Sequence, residues 1–266
     1  MSPLFLPALT ALPSGTRARA SGRSRRLPGT RSEAVLLLHG FTGRTEDMLY
    51  LGSRLSERGF PVSIPRLPGH GTNHVDFLAS TWRDWLRAAL DAYIELASEY
   101  EAVDVAGLSM GGVIAVILSA EFRPRRIALA APALRVNNPA LFLAPLAGLF
   151  VKRTKRPNLA QPDETADADQ KYMTAEYWNW QWIAPAAHLL HLKRIAGRLL
   201  GRVTAPALTI VSKGDTTVPV ATADYLESRI GSAEKRRVVL ERSGHVVVND
   251  CEKEYVADQI VEWFSR

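Results

Sequence analysis

Six short apolar runs recur along the chain, and each is continuous rather than alternating. They occupy residues 34–38, 61–64, 102–106, 126–131, 207–211 and 237–240. A continuous apolar run of this length is typical of a strand that is covered on both faces of a sheet. The runs therefore predict a buried, mostly parallel sheet, in which crossover segments must connect successive strands.

Helical patterns lie between these predicted strands. One pattern ends at Gly59, a residue that suits the position after a helix end, and residues 81–99 repeat apolar side chains at spacings of three and four. Residues 251–264 show the same spacing, and Asn249 or Asp250 before them is the predicted N-cap. Alternating strand and helix signals predict an α/β fold with a mostly parallel, doubly wound sheet.

The alternation breaks in a segment that we call the insertion, residues 133–200. It is too long for a connecting loop, and its composition is helical with apolar patches. We expect it to form a helical cap or lid over the carboxyl edge of the sheet, where ligands bind in open α/β sheets. The expected organisation is a core of residues 33–132 and 201–266, preceded by an N-terminal arm of residues 1–32.

The formal net charge of +6 comes from the N-terminal arm. Residues 1–32 carry six arginines and no acidic residue, whereas the rest of the chain carries 27 basic and 27 acidic side chains. A neutral core argues against nucleic acid as its partner. An arm rich in Arg, Ser, Pro and Gly predicts a solvated extension. A targeting peptide, or a tether to nucleic acid or to an anionic membrane, is the alternative.

The chain has a single cysteine, Cys251, which excludes an intrachain disulfide and a cysteine-based zinc site. No apolar run approaches the ~20 residues that span a bilayer. The longest candidate, residues 140–151, contains a proline. These observations favour a cytoplasmic protein. Residues 140–151, beside a basic segment at 152–156, offer at most a transient contact with a membrane surface.

The sequence Gly-Leu-Ser-Met-Gly at residues 107–111 lies between a predicted strand and an apolar helix. Gly-x-Ser-x-Gly in this position is typical of a nucleophile elbow, a sharp turn that exposes a serine hydroxyl at the edge of a sheet. We predict that Ser109 is the nucleophile and that Gly107 and Gly111 are needed because the chain packs too closely there for a Cβ. A glycine-rich turn with an incidental serine is the alternative.

A serine hydroxyl needs a base to accept its proton. His245 suits that role because it follows both Ser109 and the last predicted strand, in Ser-Gly-His before the final helix. Asp215 follows the strand at 207–211 and suits the acid that orients the histidine. The chain order Ser109, Asp215, His245 is the order of the hydrolase-fold triad. Asp250 is the alternative acid.

Acyl transfer also needs N–H donors for the negatively charged oxygen of the transition state. The backbone N–H of Met110 directly follows the predicted nucleophile and is one expected donor. The second donor is expected in the loop after the strand at 34–38, where the N–H of Phe41 is the candidate. We expect His39, in the same loop, to shape the loop and not to act as a second base.

Several stretches carry recognisable family motifs. They are Ala-Val-Leu-Leu-Leu-His-Gly-Phe-Thr-Gly at 34–43, Pro-Arg-Leu-Pro-Gly-His-Gly at 65–71, Trp-Arg-Asp-Trp at 82–85, Ala-Gly-Leu-Ser-Met-Gly-Gly at 106–112, Gly-Asp-Thr-Thr-Val-Pro at 214–219 and Ser-Gly-His-Val at 243–246. With these motifs, residues 33–264 resemble the α/β-hydrolase superfamily, and within it the bacterial carboxylesterase and monoacylglycerol lipase group. The resemblance implies the α/β-hydrolase fold and a helical cap. For the site it implies the triad Ser109, Asp215 and His245 and an oxyanion hole at Phe41 and Met110.

Two features depart from the family pattern, the long basic arm and the sequence Trp-Asn-Trp-Gln-Trp at residues 178–182. On an extended segment the three tryptophans would share one face, whereas helical packing is the other option. Core packing of the lid is the simplest interpretation, and an apolar wall for an acyl chain or an aromatic ester is the functional one. His188 and His191 have no acidic partner at metal-ligand spacing, so we expect packing or surface roles.

The sequence thus predicts a serine hydrolase of carboxylic esters that works through an acyl-enzyme and needs neither a cofactor nor a metal. The expected substrates are short-to-medium acyl esters or monoacylglycerols. A serine aminopeptidase or a thioesterase is the alternative, and the acidic residues from Asp163 to Asp169 would suit recognition of an amino terminus. A C–C hydrolase, a peroxidase and a non-catalytic hydrolase-fold binding protein rank below these.

Overall fold

The structure is a computed structural model that describes residues 16–137, 142–156 and 166–266. The strands in chain order are β1 (Arg25–Leu27), β2 (Glu33–Leu38), β3 (Val62–Ile64), β4 (Ala102–Leu108), β5 (Ile127–Ala130), β6 (Arg153–Lys155), β7 (Trp180–Trp182), β8 (Ala207–Ser212) and β9 (Lys235–Leu240). The α-helices are α1 (Leu49–Glu57), α2 (His74–Ala79), α3 (Trp82–Glu99), α4 (Met110–Phe122), α5 (Ala144–Ala147), α6 (Ala168–Met173), α7 (Ile183–Leu199), α8 (Ala221–Glu227) and α9 (Lys253–Phe264). Short 3₁₀ turns cover Ala20–Gly22, Thr45–Met48, Leu200–Arg202 and Val247–Asn249, and Thr174–Trp178 is π-helical.

Within the described residues, seven strands form one sheet in the order β1-β3-β2-β4-β5-β8-β9. Neighbouring strands are parallel except for β1 and β3, which are antiparallel. The six strands predicted from apolar runs are all present in this sheet, and their bounds differ from the prediction by one or two residues. The predicted α/β fold with a mostly parallel sheet is therefore confirmed.

Apolar cores cover both faces of the sheet. Alternate residues of β2 enter different cores, so that Leu36 lies in the core that includes Trp85 of α3, and Leu37 lies in the core that includes Leu55 of α1. Burial on both faces explains why the strand sequences are continuously apolar. Helix α4 is buried from Met110 to Ala120. In the three described ranges, no helix combines the length and the apolar character needed to cross a bilayer.

The N-terminal arm is part of the fold over its described residues, 16–32. β1 extends the sheet at its edge, where Arg25 lies opposite Ile64, and Ser21 is buried. The prediction of a solvated extension is therefore wrong for these residues, and residues 1–15 lie outside the described part of the chain. The sequence signal was weak because an edge strand exposes part of its side chains and needs no continuous apolar run.

The insertion connects β5 to β8, and its described part contains α5, β6, α6, the π-helical turn, β7 and α7. Helix α7 packs against α4, and its Leu192 is buried in the same core as α4. β6 and β7 form a separate antiparallel sheet in which Arg153 lies opposite Trp182. Trp180 and Trp182 are thus in an extended segment, whereas Trp178 ends the π-helical turn. The described part of the insertion is mostly helical, with a small sheet that the composition did not indicate.

Candidate active site

Ser109 occupies a sharp turn between β4 and α4. Its backbone has φ 54° and ψ −111°, a conformation that costs a non-glycine residue roughly 1–3 kcal/mol. A Cβ on Gly107 would collide with the carbonyl oxygen of Gly111, and a Cβ on Gly111 would collide with the carbonyl oxygen of Leu38. Close backbone contact therefore requires both glycines. The surrounding chain, including a hydrogen bond of 2.9 Å from the Ser109 N–H to the Ala130 carbonyl, holds the strained turn.

His245 and Asp215 lie beside Ser109 at the carboxyl edge of the sheet. The Nε2 atom of His245 is 2.8 Å from Ser109 Oγ, and its Nδ1 atom is 2.8 Å from Asp215 Oδ2. Ser109 follows β4, Asp215 follows β8 and His245 follows β9. Because carboxyl ends of parallel strands meet at one edge, the fold brings together three residues that are far apart in sequence.

The environment of Asp215 keeps its side chain in the carboxylate form. The side chain is fully buried, and its Oδ1 atom accepts N–H groups of Thr217 at 2.7 Å and Val218 at 3.0 Å. Burial acts to raise the pKa of Asp215, but the bond and charge of His245 and the two N–H donors outweigh burial, so the pKa lies below its ordinary value. The carboxylate accepts the Nδ1–H of His245, which leaves Nε2 as the acceptor that faces Ser109.

Glu252 organises the loop before His245, a role that sequence reasoning missed. Its carboxylate accepts the N–H of Ser243 at 2.7 Å, the N–H of Arg242 at 3.0 Å and the Ser243 hydroxyl at 2.8 Å. Burial acts to raise the pKa of Glu252, but these bonds and one from the Glu241 N–H lower the pKa to about 2. The available sequence signal was an acidic residue at the start of the helix that follows the histidine.

Asp250 supports the same loop from the other side. It accepts the N–H of Gly244 at 2.7 Å and the N–H of Cys251 at 2.6 Å. The prediction that Asn249 or Asp250 caps the last helix is wrong, because α9 begins at Lys253 and the residue at its N-cap is Glu252. The Asp250 side chain is occupied by amides of the loop, and the acid bonded to His245 is Asp215.

The two predicted oxyanion donors belong to segments that border Ser109. Met110 is the first residue of α4, so its N–H has no acceptor one turn earlier in the helix. Phe41 lies within a turn that is closed by a bond of 3.1 Å from the Gly43 N–H to the Gly40 carbonyl. A Cβ on Gly40 would lie 3.3 Å from Ser109 Cβ, which shows how closely this turn approaches the serine.

His39 is buried at the end of β2, and both of its ring nitrogens are engaged. Its Nε2 atom accepts the Leu67 N–H at 3.1 Å, so Nδ1 carries the hydrogen and donates to the Gly40 carbonyl at 3.0 Å. Burial lowers the pKa of His39 to about 4. A neutral histidine with both nitrogens bonded connects the two loops at this edge and has no nitrogen available as a base.

A cluster of aromatic rings packs against the turn that contains Phe41. The Phe41 ring is 5.3 Å from the Phe77 ring and 6.0 Å from the Trp85 ring, between centroids. From the insertion, Trp178 Nε1 donates to the Thr42 carbonyl at 3.2 Å. The insertion therefore contacts the same turn that supplies a predicted oxyanion donor.

The histidines of α7 pack against aromatic rings. The His191 ring is 4.5 Å from the Trp82 ring, and the His188 ring is 6.1 Å from the Trp85 ring, between centroids. Burial is the main cause that lowers the pKa of His188. These contacts agree with the packing role expected from the sequence.

Acidic residues considered for recognition of an amino terminus have other partners where the structure describes them. Asp167 caps α6 by accepting the Gln170 N–H at 2.7 Å. Asp169 pairs with Arg19 at 3.0 Å, and Asp163 lies outside the described residues. Neither Asp167 nor Asp169 is available to bind an ammonium group at the site.

Comparison with known proteins bears on the fold and the family of the chain. A model of the alpha/beta hydrolase family matches residues 35–259. The chain is 32% identical over 238 residues to a thermostable monoacylglycerol lipase of Bacillus sp. (strain H-257), with 87% of this chain and 90% of the relative covered. It is 26% identical over 239 residues to a carboxylesterase of Bacillus subtilis (strain 168), with 88% and 93% covered. A solved structure from work on LipS and LipT, two metagenome-derived lipolytic enzymes, matches with a TM-score of 0.82 and 28% identity, covering 93% and 98% of the two chains.

Fold, motifs and family match together define an α/β hydrolase, and the chain belongs to the alpha/beta hydrolase family. Within that family its relatives are lipases and esterases, and the chain is a carboxylic ester hydrolase. The resemblance that the sequence motifs indicated is thereby confirmed.

Proposed function

We propose that the protein cleaves carboxylic esters with Ser109 as nucleophile, His245 as general base and acid, and Asp215 as the orienting carboxylate. The distance of 2.8 Å between His245 Nε2 and Ser109 Oγ carries this proposal, because a serine hydroxyl attacks only when a base takes its proton. The strained backbone of Ser109 supports it further, since strain of this kind concentrates at functional sites.

The reaction follows from the geometry in two halves. His245 takes the Ser109 proton as Oγ attacks the ester carbonyl, and Asp215 stabilises the imidazolium that forms. When the tetrahedral intermediate collapses, the alcohol leaves with the proton from His245 and an acyl-enzyme remains on Ser109. Water, activated by the same histidine, then attacks the acyl-enzyme and releases the carboxylic acid. No step calls for a cofactor or a metal.

The N–H groups of Phe41 and Met110 are the proposed oxyanion donors. Met110 contributes an amide that the helix leaves unbonded, and the turn with Phe41 lies against Ser109. Loss of one such donor typically lowers kcat by ~10²–10³-fold. The positive end of the α4 dipole adds to the stabilisation of the developing negative charge.

We propose that short-to-medium acyl esters or monoacylglycerols are the substrates and that the insertion is the cap that selects them. The partly exposed side chains of Phe41 and Trp178 border the turn beside Ser109 and offer apolar surface to an acyl chain. A monoacylglycerol lipase and a carboxylesterase are among the relatives. Because the chain outside the N-terminal arm is formally neutral, we expect no nucleic-acid partner for the core.

Hydrolysis of p-nitrophenyl esters from acetate to palmitate, of a monoacylglycerol and of an aminoacyl anilide tests the proposal. The wild type should hydrolyse the esters, and Ser109→Ala should lose at least ~10⁴-fold in kcat. The matched control is Ser119→Ala, a buried serine on α4 that lies away from the triad. Anilide cleavage without ester cleavage, or equal rates for Ser109→Ala and the wild type, would contradict the proposal.

A further inference from the structure

A surface cleft of about 410 Å³ lies between α7 and α8, and it contains no triad residue. Its floor includes Gly197, where a Cβ would lie 3.2 Å from the Tyr225 hydroxyl. We call its charged lining the basic cleft. The basic cleft consists of Lys193, Arg194, Arg198 and Arg229, with Arg135 at its margin over the Tyr225 ring.

The basic cleft has no counter-charge among the residues that the structure describes. The two acidic residues of α8, Asp224 and Glu227, are bound to Arg237 at 2.7 and 2.6 Å. Burial, followed by the positive charge of Arg135, lowers the pKa of Lys193. Like charges crowded into one cleft repel one another, and an anionic ligand would relieve that repulsion.

An apolar patch lies beside this cleft, on α5 and the residues that flank it. We define the apolar patch as Phe142, Leu143, Leu146, Leu149, Phe150 and Val151. Each of these side chains is at least 41% exposed, and Phe150 is 82% exposed. A contiguous exposed apolar surface of this kind marks a binding surface in a soluble protein.

The basic cleft and the apolar patch form one continuous surface. Phe142 belongs to both, and the Lys193 ammonium lies 5.3 Å from the centre of its ring. Helix α5 packs against α7, which carries most of the cationic side chains. A free inorganic anion would satisfy the charges and leave the apolar patch in water. An amphiphilic surface would neutralise the charges of the basic cleft and also cover the apolar patch.

We propose that the basic cleft and the apolar patch dock the protein on an anionic phospholipid surface. A headgroup phosphate occupies the basic cleft, and the side chains of Leu146, Leu149 and Phe150 enter the boundary between headgroups and acyl chains. This inference rests on the proposed function, because docking on a phospholipid surface would bring an ester hydrolase to lipid ester substrates.

The docking surface lies close to the nucleophile along the chain. Leu134 lines the cleft, and the N–H of its neighbour Ala133 donates to the Ser109 carbonyl at 3.1 Å. Two adjacent residues, Ala133 and Leu134, therefore connect the turn of Ser109 with the basic cleft.

Co-sedimentation with vesicles tests the docking surface. The full chain carries Ser109→Ala so that no lipid is hydrolysed, and the vesicles contain phosphatidylcholine alone or mixed with phosphatidylglycerol. We expect binding to the mixed vesicles. Adding Arg194→Ala and Arg198→Ala should weaken this binding roughly 30-fold, because two basic side chains that would each attract the anionic surface are lost.

Two further variants keep the test specific. Leu146→Ser with Phe150→Ser should weaken binding by more than roughly tenfold, because two large apolar side chains no longer enter the lipid. Arg23→Ala with Arg58→Ala removes the same charge from exposed positions away from the cleft and should leave binding close to its starting value. With Ser109 intact, each variant should hydrolyse p-nitrophenyl butyrate like the wild type, which confirms folding.

Equal binding to both kinds of vesicle, or equal losses in the cleft variant and the charge control, would overturn the docking surface. So would binding of inorganic phosphate to the basic cleft, measured by calorimetry, without any binding to vesicles. The two proposals fail separately. Vesicle binding in the predicted pattern by a protein without esterase activity would overturn only the proposed function.

Discussion

The sheet edge around Ser109 and the insertion beside it are held in place by different kinds of contact. At the sheet edge, backbone amides and carbonyls hold the proposed catalytic residues. The Ser109 N–H donates to the Ala130 carbonyl at 2.9 Å, and Asp215 accepts the N–H groups of Thr217 and Val218. These contacts follow from the strand ends themselves and tolerate little change.

In the insertion, hydrogen bonds of side chains add to the apolar packing of α7 on α4. The Tyr177 hydroxyl donates to the Gly69 carbonyl at 2.9 Å and accepts the Thr72 N–H at 3.0 Å, while His74 Nδ1 lies 2.7 Å from a Glu176 oxygen. The opposite end of the insertion exposes the apolar patch. The difference teaches that backbone groups at the strand ends hold the proposed catalytic residues, whereas apolar packing and side-chain hydrogen bonds hold the insertion.

Asp215→Asn tests the sheet edge most severely. The N–H groups of Thr217 and Val218 donate to Asp215 Oδ1, so the side-chain oxygen of Asn should take the position of Oδ1, and its NH₂ group should face His245. Because the NH₂ group is a donor, His245 Nδ1 must accept, and the imidazole hydrogen moves to Nε2. Nε2 then faces Ser109 with a hydrogen and cannot accept the serine proton. We expect kcat for p-nitrophenyl butyrate to fall ~10⁴-fold with the fold intact by circular dichroism.

Asp250→Asn is the matched control for this substitution. Asp250 bonds the Gly244 amide and not His245, so its loss should lower kcat by no more than about tenfold, the effect of one hydrogen bond. If Asp250→Asn lost more activity than Asp215→Asn, the assignment of Asp215 as the orienting acid would be wrong.

Glu252→Gln weakens the support of the His245 loop and should have an intermediate effect. We expect a roughly tenfold lower kcat/KM from a misplaced base, and a Tm about 2–4 °C lower at neutral pH. Folding lowers the pKa of Glu252 from 4.5 to about 2, so its stabilising effect is complete above pH 4.5 and disappears as the pH falls toward 2. Thermal unfolding from neutral to acidic pH should therefore show the two Tm curves converging.

The control for Glu252→Gln is Glu254→Gln, which removes an acidic charge from the first turn of the same helix. Its Tm should stay close to the wild-type value at every pH. A constant difference between wild type and Glu252→Gln across the whole range would show that the carboxylate charge is not what holds the loop.

Tyr177→Phe tests the insertion and should have the smallest effect on catalysis. Without the hydroxyl, the Thr72 N–H and the Gly69 carbonyl lose a partner. We expect kcat/KM for long acyl esters to fall roughly threefold, with kcat for the acetate unchanged. Tyr172→Phe, also in the insertion, is the control with no expected change. An equal loss for acetate and palmitate would show that the insertion affects the triad itself.

The meeting of Ser109, Asp215 and His245 at the sheet edge could be predicted from the sequence because the signals are local. Ser109 stands in a Gly-x-Ser-x-Gly turn, and Asp215 and His245 lie in the loops that follow β8 and β9. Glu252 and Tyr177 gave no such signal. Glu252 acts on an amide nine residues away, and Tyr177 acts on a carbonyl 108 residues away, so both roles exist only after the chain has folded.

Two errors have the same origin. β1 was missed because an edge strand lacks the apolar run that identified the other strands of the sheet. Asp250 was assigned to the wrong partner because a side chain near a helix start can bond either the helix or the preceding loop. Local sequence does not distinguish these choices.

Covalent labelling tests the role of Ser109 most directly. A fluorophosphonate reacts with a serine that a neighbouring base activates, and peptide mass spectrometry identifies the modified residue. We predict one label per chain on Ser109 in the wild type, and no label in His245→Ala. Ester hydrolysis that continues with Ser109 unmodified, or a label on another serine that abolishes activity, would contradict Ser109 as the nucleophile.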